Sequence, residues 1–307
     1  MIHAQEHILI IKHGALGDII LSSGHIKAIR DAHPHAIIIC LTGKPYATLL
    51  DVCPWIDEVW IDSKPSIKQV KEIFALIKKL RSRRFSWVYD LQTSMRSSLT
   101  WWFFTLPKPK FSGIARFASH PQRGNARHKM HALEQINDQL KIAGIVTDGT
   151  PDISWMSADI SHFKLPERYM LIVAGGSAHR PEKRWPSYHY EALAKAMLVR
   201  DITPVLIGTV SEASVMDSIE SNALGSINLC GKTSFSELAS LARGARFAVG
   251  NDTGPLHLIA ATGCKTTVIF SHVSTPEKSA PIGAHIRILR AEDLAQLSVA
   301  RVLETLS

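Results

Sequence analysis

Hydrophobic positions along this chain come in short continuous runs that alternate with longer amphipathic stretches. The short runs are apolar throughout and rich in β-branched residues, which is typical of strands buried on both faces of a parallel sheet. They lie at 8–12, 36–41, 58–61 and 87–91 in the first half of the chain, and at 169–174, 204–207, 227–230, 246–249 and 266–270 in the second half. Helices are predicted at 18–30, 66–84, 131–143, 188–199, 234–242 and 292–306.

This alternation of strand and helix occurs twice, which predicts an α/β protein with two doubly wound parallel sheets. Between the two series lies a stretch of weak periodicity, 147–166, that contains Pro151 and Pro166. We therefore predict two Rossmann-like domains, 1–160 and 161–307. Ligands of such sheets bind at the carboxyl ends of the strands, so we expect the two domains to face one another across a central ligand-binding cleft.

Composition narrows the class of protein further. No apolar run approaches the ~18 residues of a membrane span, and the first residues lack the pattern of a signal peptide. The four cysteines are scattered without a Cys-x-x-Cys pair, which favours a reduced, cytoplasmic protein.

Positive charge is concentrated in one part of the predicted first domain. The net charge of the whole chain is +8, but 64–129 alone carries +13, with fifteen lysines and arginines against Glu72 and Asp90. Nucleic acid, anionic lipid and a phosphorylated acceptor are candidate partners. A solvated basic helix at 66–84 is the alternative, but it leaves these cations beyond it unexplained: Lys108, Lys110, Arg116, Arg123, Arg127 and Lys129. No basic motif of the usual nucleic-acid modules is present, so no specific nucleic-acid partner is predicted.

The motif GNDTGPLHLIAATG at 250–263 joins a predicted strand to an apolar helix. A glycine-bracketed turn at a helix start leaves backbone N–H groups free at the positive end of the helix dipole, which suits a diphosphate. The alternative is an ordinary helix start, capped by Asp252 or Thr253 with Pro255 in the first turn.

Three other strand ends carry polar residues. The first strand runs into His13-Gly-Ala-Leu-Gly-Asp18, where Asp18 either caps the next helix or acts as a general base. The glycine spacing there differs from GxGxxG, which disfavours a dehydrogenase.

The turn Gly175-Gly176-Ser177 precedes Lys183 and suits a phosphate, although a solvated surface loop has the same composition. Glu212 opens a later helix and either accepts ribose hydroxyls or caps.

Metal and cofactor motifs are missing from the sequence. There is no HExxH and no Asp-x-Asp, and the histidine pairs lack the carboxylate spacing of a zinc site, so we predict neither a metal nor a cofactor. The aromatic run Trp101-Trp-Phe-Phe104 is predicted to belong to the core, with an aromatic edge on a membrane interface as the alternative.

Together these motifs resemble the ADP-heptose:lipopolysaccharide heptosyltransferases, glycosyltransferase family 9. The resemblance rests on Lys12-x-x-x-x-Gly17-Asp18 and on the motif at 250–263, supported by 175–186 and by Asp90 to Arg96, and it spans nearly the whole chain in order. It implies a GT-B fold, with the acceptor on the first domain and the nucleotide-sugar on the second. It also implies inversion without a metal, and a final helix that packs back on the first domain.

The resemblance assigns roles to individual residues. Asp18 matches the catalytic base, Lys183 the diphosphate-binding lysine and Glu212 the ribose-binding glutamate. The remaining donor-binding candidates lie in the two glycine turns and the helix after the second: Gly176, Ser177, Asp252, Thr253, Gly254 and His257. The acceptor-binding candidates belong to the first loop and the basic segment: Gly17, Arg96, Arg116, Arg123 and Arg127. The residues His13 to Leu16 differ from the small hydroxylated residues that some family members have there.

The implied function is transfer of heptose from an ADP-sugar to an anionic glycolipid acceptor of the lipopolysaccharide inner core. The protein would then be cytoplasmic, and contact with the inner membrane surface would be compatible with the basic segment. Two alternatives stay open. One is a related transferase with another nucleotide-sugar or a protein acceptor, and the other is a non-catalytic binding protein of the same fold.

Overall fold

The computed structural model describes residues 5–66, 68–176 and 180–306. Contacts along the chain separate two compact units, residues up to Trp155 and residues from Met156 onward. The sequence predicts the division between 160 and 161, inside the same weakly periodic linker. Each unit contains one parallel six-stranded sheet, so the predicted α/β class with two Rossmann-like domains is confirmed.

The sheet of the first unit has the strand order β3-β2-β1-β4-β5-β6. Its strands are β1 (His7–Ile11), β2 (Ile37–Gly43), β3 (Glu58–Asp62), β4 (Trp87–Asp90), β5 (Lys110–Gly113) and β6 (His120–Pro121). Every pairing is parallel, with Leu9 of β1 opposite both Ile39 and Val88. This is the strand order of the Rossmann fold.

The helices of the first unit are α1 (Leu16–Leu21), α2 (Ser23–Ala32), α3 (Ala47–Asp51), α4 (Val70–Arg81), α5 (Met95–Leu99) and α6 (Ala132–Ile142). The single helix predicted at 18–30 is wrong, because the chain bends at Ser22 between α1 and α2. The Ser22 and Ser23 hydroxyls donate to the carbonyls of Ile19 and Ile20, and such bonds back to the preceding turn favour a bend.

The core of the first unit lies on the β1 and β4 strands, where Leu9, Ile11 and Val88 are fully buried. The aromatic run at 101–104 divides between core and surface. Phe104 is buried against this core, whereas 57 % of the Trp102 side chain is exposed. The prediction that the whole run is core is therefore wrong for Trp102, since the tight turn of Thr100–Phe103 points successive side chains to different sides.

The sheet of the second unit has the order β12-β11-β10-β7-β8-β9, the same topology as the first sheet. Its strands are β7 (Tyr169–Val173), β8 (Thr203–Leu206), β9 (Ile227–Asn228), β10 (Phe247–Asn251), β11 (Thr266–Ser271) and β12 (Ile286–Ala291). The central pair β7 and β10 is buried along its whole length, which accounts for the continuous apolar runs in the sequence.

The helices of the second unit are α7 (Ser187–Val199), α8 (Ala213–Asn222), α9 (Phe235–Gly244), α10 (Gly254–Ala261), α11 (Pro276–Ser279) and α12 (Val299–Leu303). The continuous helix predicted at 292–306 is wrong. A short turn, Leu294–Gln296, precedes α12, and Leu297, Val302 and Leu306 complete the core of the second unit. The expected packing of this segment on the first domain stays a prediction. Across the described ranges, no helix is long and apolar enough to cross a bilayer.

Candidate functional site

The carboxyl edge of each sheet collects the motifs that the sequence singles out. In both sheets the strand order reverses beside the first strand, between β1 and β4 and between β7 and β10. Loops diverge at such a point and leave a crevice for ligands. Asp18 and Arg96 follow β1 and β4, while Gly176 and Asp252 follow β7 and β10. The topology thus places the acceptor candidates on one edge and the donor candidates on the other.

Asp18 lies in the first turn of α1, with its carboxylate exposed. Its Oδ2 accepts a hydrogen bond of 3.0 Å from the backbone N–H of Ala15. This is the capping contact that the sequence predicts as one of two alternatives for Asp18. A carboxylate can accept about four hydrogen bonds, so one capping contact leaves acceptor sites directed to solvent. The position therefore allows Asp18 to receive a proton while its other oxygen stays held by the loop.

The turn between β1 and α1 depends on Gly14. Its φ of +115° is strained for residues with a side chain, and a Cβ there would lie 2.2 Å from the Tyr46 ring. Gly17 is buried in the first turn of α1. Both glycines shape the loop that presents Asp18, and direct contact of Gly17 with an acceptor stays a prediction.

His13 and Asp62 form a buried polar pair beside this loop, with His13 Nε2 3.0 Å from Asp62 Oδ2. Burial opposes ionisation of Asp62, but its hydrogen bonds with His13 and the Lys64 N–H, together with the Arg96 charge, outweigh it and lower the Asp62 pKa. Arg96 reaches to 3.7 Å from Asp62 and donates to the Pro65 carbonyl. These side chains close one end of a pocket of about 130 Å³ whose other walls are mainly apolar.

A second buried carboxylate, Asp90, ends β4. Burial raises its pKa to about 6, and it accepts a hydrogen bond from the N–H of Thr93, which has φ +45°. Lys12 is also buried, its Nζ donates to the Leu91 carbonyl, and burial lowers its pKa. Arg127 donates to the Thr93 hydroxyl and to Gln122. These contacts make Arg127 a half-buried support of the β4 loop.

Arg116 and Arg123 differ from Arg127, because both are exposed. The Arg116 guanidinium lies 5.5 Å from the ring centroid of Phe117, and Arg123 donates a long hydrogen bond of 3.5 Å to the Arg116 carbonyl. The two cations thus lie side by side on the surface after β5, where they are available to an anionic partner.

Asn251, at the end of β10, organises the edge of the second sheet. It is fully buried, and its Oδ1 accepts hydrogen bonds from the Trp185 N–H and the Tyr190 hydroxyl. Its Nδ2 donates to the carbonyls of Ala174 and Gly175. One side chain therefore ties the turn after β7 to the segment that leads into α7.

Lys183 and Asp252 meet at this edge. Lys183 Nζ lies 3.1 Å from Asp252 Oδ2, and the Ser274 hydroxyl donates to the same oxygen at 3.0 Å. An ammonium group has three donor hydrogens, so Lys183 can keep this partner and still donate to a phosphate oxygen. The two residues are far apart in the sequence, and the structure brings them together.

Glu212 joins two loops at this edge of the second sheet. Its Oε1 accepts from the Gly176 N–H at 2.6 Å, and its Oε2 accepts from the N–H and hydroxyl of Thr209 at 2.8 and 2.9 Å. The capping role is thus observed. A partly exposed carboxylate held in this way retains lone pairs for further donors, so it can still accept from ribose hydroxyls. Ribose binding itself stays a prediction.

The turn into α10 supplies fewer free N–H groups than the sequence predicts. The Asp252 N–H donates to the Ile269 carbonyl, which continues the pairing of β10 with β11. Pro255 has no N–H group. The N–H groups placed for an anion at the start of α10 are therefore those of Thr253 and Gly254. His257 is buried within α10. Ser177, a predicted donor-binding residue, lies outside the described residues.

Three residues of these edges are missed by the sequence reasoning: Asp62, Asn251 and Ser274. Asn251 lies inside the motif at 250–263, so its position carried a signal. Asp62 and Ser274 depend on contacts with His13 and Asp252 from other strands. In the described parts of the chain, no three His, Cys, Asp or Glu side chains come together as metal ligands. Metal independence itself stays a prediction.

Comparison with known proteins agrees with this architecture. The family described as glycosyltransferase family 9 (heptosyltransferase) matches residues 73–302. Lipopolysaccharide heptosyltransferase 2 of Escherichia coli K12 is 25 % identical over 316 aligned positions, covering 92 % of this chain and 87 % of that protein.

Solved structures show the same fold. A glycosyltransferase of family 9 from Veillonella parvula superimposes with a TM-score of 0.82 at 20 % identity, covering 98 % of this chain and 95 % of that one. The E. coli ADP-heptose lipopolysaccharide heptosyltransferase II gives 0.79 at 23 %, covering 98 % and 97 %. Two Rossmann-like units, the motifs at their carboxyl edges and a family match over most of the chain lead to one conclusion: this protein is a glycosyltransferase of the GT-B type and belongs to glycosyltransferase family 9.

Proposed function

We propose that this protein transfers a heptose from ADP-heptose to a hydroxyl of the lipopolysaccharide inner core, with inversion at the anomeric carbon and without a metal. The observation that carries the proposal is the pair of edges just described. An exposed carboxylate lies at the carboxyl edge of the sheet in one Rossmann-like unit. A lysine beside a helix N-terminus lies at the corresponding edge in the other unit. The similar E. coli proteins are named as lipopolysaccharide heptosyltransferases, and one is named for ADP-heptose.

The acceptor half of the reaction needs a base. Asp18 accepts the proton of the acceptor hydroxyl as that oxygen attacks the anomeric carbon, opposite to the departing ADP. Its Oδ2 stays hydrogen-bonded to the Ala15 N–H, which fixes the carboxylate orientation. A positioned base of this kind contributes about 10²–10⁴ in rate.

The donor half needs stabilisation of the leaving diphosphate. Lys183 donates to the phosphate oxygens while Asp252 holds its ammonium group, and the N–H groups of Thr253 and Gly254 point from the start of α10. Donors fixed in advance at the developing charge replace the metal ion that other transferases use. Glu212 accepts from the ribose hydroxyls and keeps the Gly176 turn in place.

The charge pattern supports the acceptor that we propose and its membrane location. The +13 segment belongs to the unit that carries Asp18, and we propose that it meets the anionic glycolipid. The protein would then act in the cytoplasm at the inner membrane surface.

A transferase that uses another nucleotide-sugar would share these residues. A thermal-shift assay with ADP, UDP, GDP and dTDP distinguishes such a transferase from one that uses an ADP-sugar. Saturation at about 100 times Kd stabilises the folded state by roughly 2.7 kcal/mol, so the preferred nucleotide is readily recognised.

The decisive experiment measures heptose transfer from ADP-heptose to an inner-core acceptor in the presence of EDTA. The wild-type protein is expected to be active, and Asp18→Asn to be slower by about 10²–10⁴ because it loses the base. Asparagine can still accept from the Ala15 N–H, so the loop and ADP affinity should be retained.

Asp31→Asn is the matched control, since Asp31 is an exposed acid on the neighbouring helix α2. It should transfer at the wild-type rate. Wild-type turnover by Asp18→Asn would reduce Asp18 to a helix cap. Inactivity of the wild-type protein in EDTA, restored by a divalent ion, would contradict the metal-free mechanism.

A further inference from the structure

An exposed aromatic surface lies on the first unit and takes no part in the chemistry described above. Its most exposed large apolar side chains are Met95 at 84 %, Trp102 at 57 % and Phe117 at 53 %. They line an open groove of about 510 Å³ together with Leu99, Trp101 and Ile114. We call these six residues the aromatic groove. Exposed apolar patches rimmed by polar groups mark interaction surfaces.

The rings of the groove are packed against one another. The Trp102 and Phe117 ring centroids are 5.5 Å apart and nearly perpendicular, and Trp101 lies 4.9 Å from Trp102 and 5.6 Å from Phe117. These contacts fix a rigid set of rings that still faces solvent. A fixed apolar surface loses little side-chain entropy on binding, which favours association.

Two cations lie against the rings of the groove. Lys108 Nζ lies 4.2 Å from the Trp101 ring centroid, and the Arg116 guanidinium lies 5.5 Å from that of Phe117. Residues 91–129, which contain the whole groove, carry seven lysines and arginines and no aspartate or glutamate. Tryptophan and phenylalanine flanked by such cations fit the surface of an anionic bilayer, where rings enter the headgroup region and cations meet phosphates.

The groove also lies at the acceptor edge. Met95 and Leu99 belong to α5, which follows β4, and Ile114 follows the end of β5. These are the carboxyl ends of the sheet whose first strand leads to Asp18. We propose that the aromatic groove docks the protein on the anionic membrane surface and thereby presents the acceptor edge to its lipid-linked substrate. This inference rests on the proposed acceptor class, but docking itself needs neither donor nor acceptor.

The test is cosedimentation of the full-length protein with vesicles of phosphatidylethanolamine and phosphatidylglycerol, compared with vesicles of phosphatidylcholine. The wild-type protein is expected to bind the anionic vesicles preferentially. The triple variant Met95→Gln, Trp102→Gln and Phe117→Gln should partition at least about tenfold more weakly, because three apolar side chains no longer enter the headgroup region. A triple control, Val146→Gln, Val199→Gln and Leu224→Gln, replaces apolar residues that are about as exposed or more exposed elsewhere and should bind as the wild type does.

Transfer assays separate this proposal from the proposed function. With a water-soluble, deacylated acceptor, the groove variant should retain wild-type kcat, and its KM should rise much less than the KM for acceptor embedded in vesicles. Failure of the wild-type protein to bind anionic vesicles, or equal binding by the groove variant, would overturn the docking proposal and leave the transferase proposal untouched. Sedimentation velocity supplies the other check. A wild-type dimer that the groove substitutions convert to monomer would assign the groove to self-association and also overturn docking.

Discussion

Asp252 and Lys183 form an ion pair at the edge where we propose that the diphosphate binds. A carboxylate by itself repels phosphate, yet Asp252 lies in the motif whose helix start suits an anion. Its Oδ2 holds Lys183 at 3.1 Å and accepts from Ser274, so its role in the absence of donor is to position the cation. The carboxylate also offsets part of the lysine charge, which would weaken the binding of ADP in the mechanism that we propose.

Lys183→Ala and Asp252→Asn should therefore act on ADP affinity in opposite directions. Loss of the lysine removes a charge-assisted hydrogen bond worth about 1.5–3 kcal/mol, which weakens binding by roughly ten- to a hundredfold. Asp252→Asn keeps the cation and removes the opposing charge, so ADP should bind at least as tightly while kcat falls. Isothermal titration with ADP, followed by transfer kinetics, measures both. Equal ADP affinity of Lys183→Ala and the wild type would remove Lys183 from the site.

Asp90 predicts a pH dependence of stability in the first unit. Burial raises its pKa to about 6, so the folded protein binds a proton there that the unfolded chain releases near its ordinary pKa of about 4. A carboxyl group with a raised pKa in the folded state is favourable for folding at low pH, and that contribution is lost as pH rises through about 6. Two pKa units correspond to about 3 kcal/mol.

Asp90→Asn, which keeps an acceptor for the Thr93 N–H, is the matching variant. As pH falls from 7 to 4, the wild type should gain up to about 3 kcal/mol of unfolding free energy from this protonation, and Asp90→Asn should not. Urea unfolding at a series of pH values provides the measurement. A difference between the two proteins that stays constant over this range would show that Asp90 titrates normally.

The sequence predicts where the candidate site residues lie better than it predicts their hydrogen-bond partners. Asp18, Lys183, Glu212 and Asp252 all lie at the carboxyl edges where the strand pattern and the motifs place them. Their hydrogen bonds could not be predicted, because a contact such as Glu212 with Gly176 joins residues 36 positions apart. Such contacts depend on strand order and loop length, which periodicity does not encode.

At the scale of elements, the same limits have specific physical causes. The central strands were predicted because burial on both faces leaves continuous apolar runs. The edge strand β12 was missed because its exposed positions, including Arg287 and Arg290, interrupt the run. Strands β5 and β6 were missed because their sequences, Lys110-Phe-Ser-Gly113 and His120-Pro121, contain no continuous apolar run. Edge strands need less burial, so their composition carries a weaker signal.

The turn after β7 gives a prediction about how two elements are joined. A Cβ at Gly175 would lie 1.8 Å from the Glu212 carboxylate, whereas one at Gly176 would meet nothing closer than 3.4 Å. Gly175→Ala should therefore displace Glu212 and break its link to the turn, with a loss of about 1–3 kcal/mol in stability. Gly176→Ala is the matched control and should be nearly neutral. Thermal denaturation of both variants tests this, and equal melting temperatures would show that the link carries little energy.

The variant Glu212→Ala tests the cause of this loss of stability. If Gly175→Ala destabilises the protein by displacing Glu212, then Gly175→Ala should lower stability less in the Glu212→Ala protein than in the wild type. A double-mutant cycle measures that coupling directly. Independent, additive effects would place the cost in the backbone of the turn instead.

At the scale of the whole molecule, two sheets of identical topology carry different surfaces. Both have the Rossmann strand order and a buried central pair, so the fold itself does not distinguish acceptor from donor unit. The difference lies in charge, because the first unit contains the +13 segment. Function on such a shared fold is decided by the side chains at the carboxyl edges.

Arg116 and Arg123 are the cations through which this asymmetry should act, since Arg127 is engaged with Thr93 and Gln122. Replacing Arg116 and Arg123 together by Gln should raise the KM of an anionic acceptor and leave that of the ADP-sugar nearly unchanged. The wild-type acceptor KM should also rise with ionic strength, because salt screens exposed charges over about 8–10 Å. The double variant should lose part of this salt dependence, since fewer charges remain to be screened.

Lys195→Gln with Arg200→Gln, two exposed cations of the second unit, is the control of equal charge change. It should alter neither KM nor the salt dependence if position on the acceptor unit is what matters. Equal effects of the two double variants would mean that total charge attracts the acceptor from a distance, with no local contact. Absence of any effect in Arg116→Gln with Arg123→Gln would mean that these arginines only solvate the surface. Steady-state kinetics with each substrate varied at two salt concentrations decides among local contact, attraction by total charge and mere solvation. Only a local contact predicts that the acceptor KM and its salt dependence both change at these two positions and not in the control.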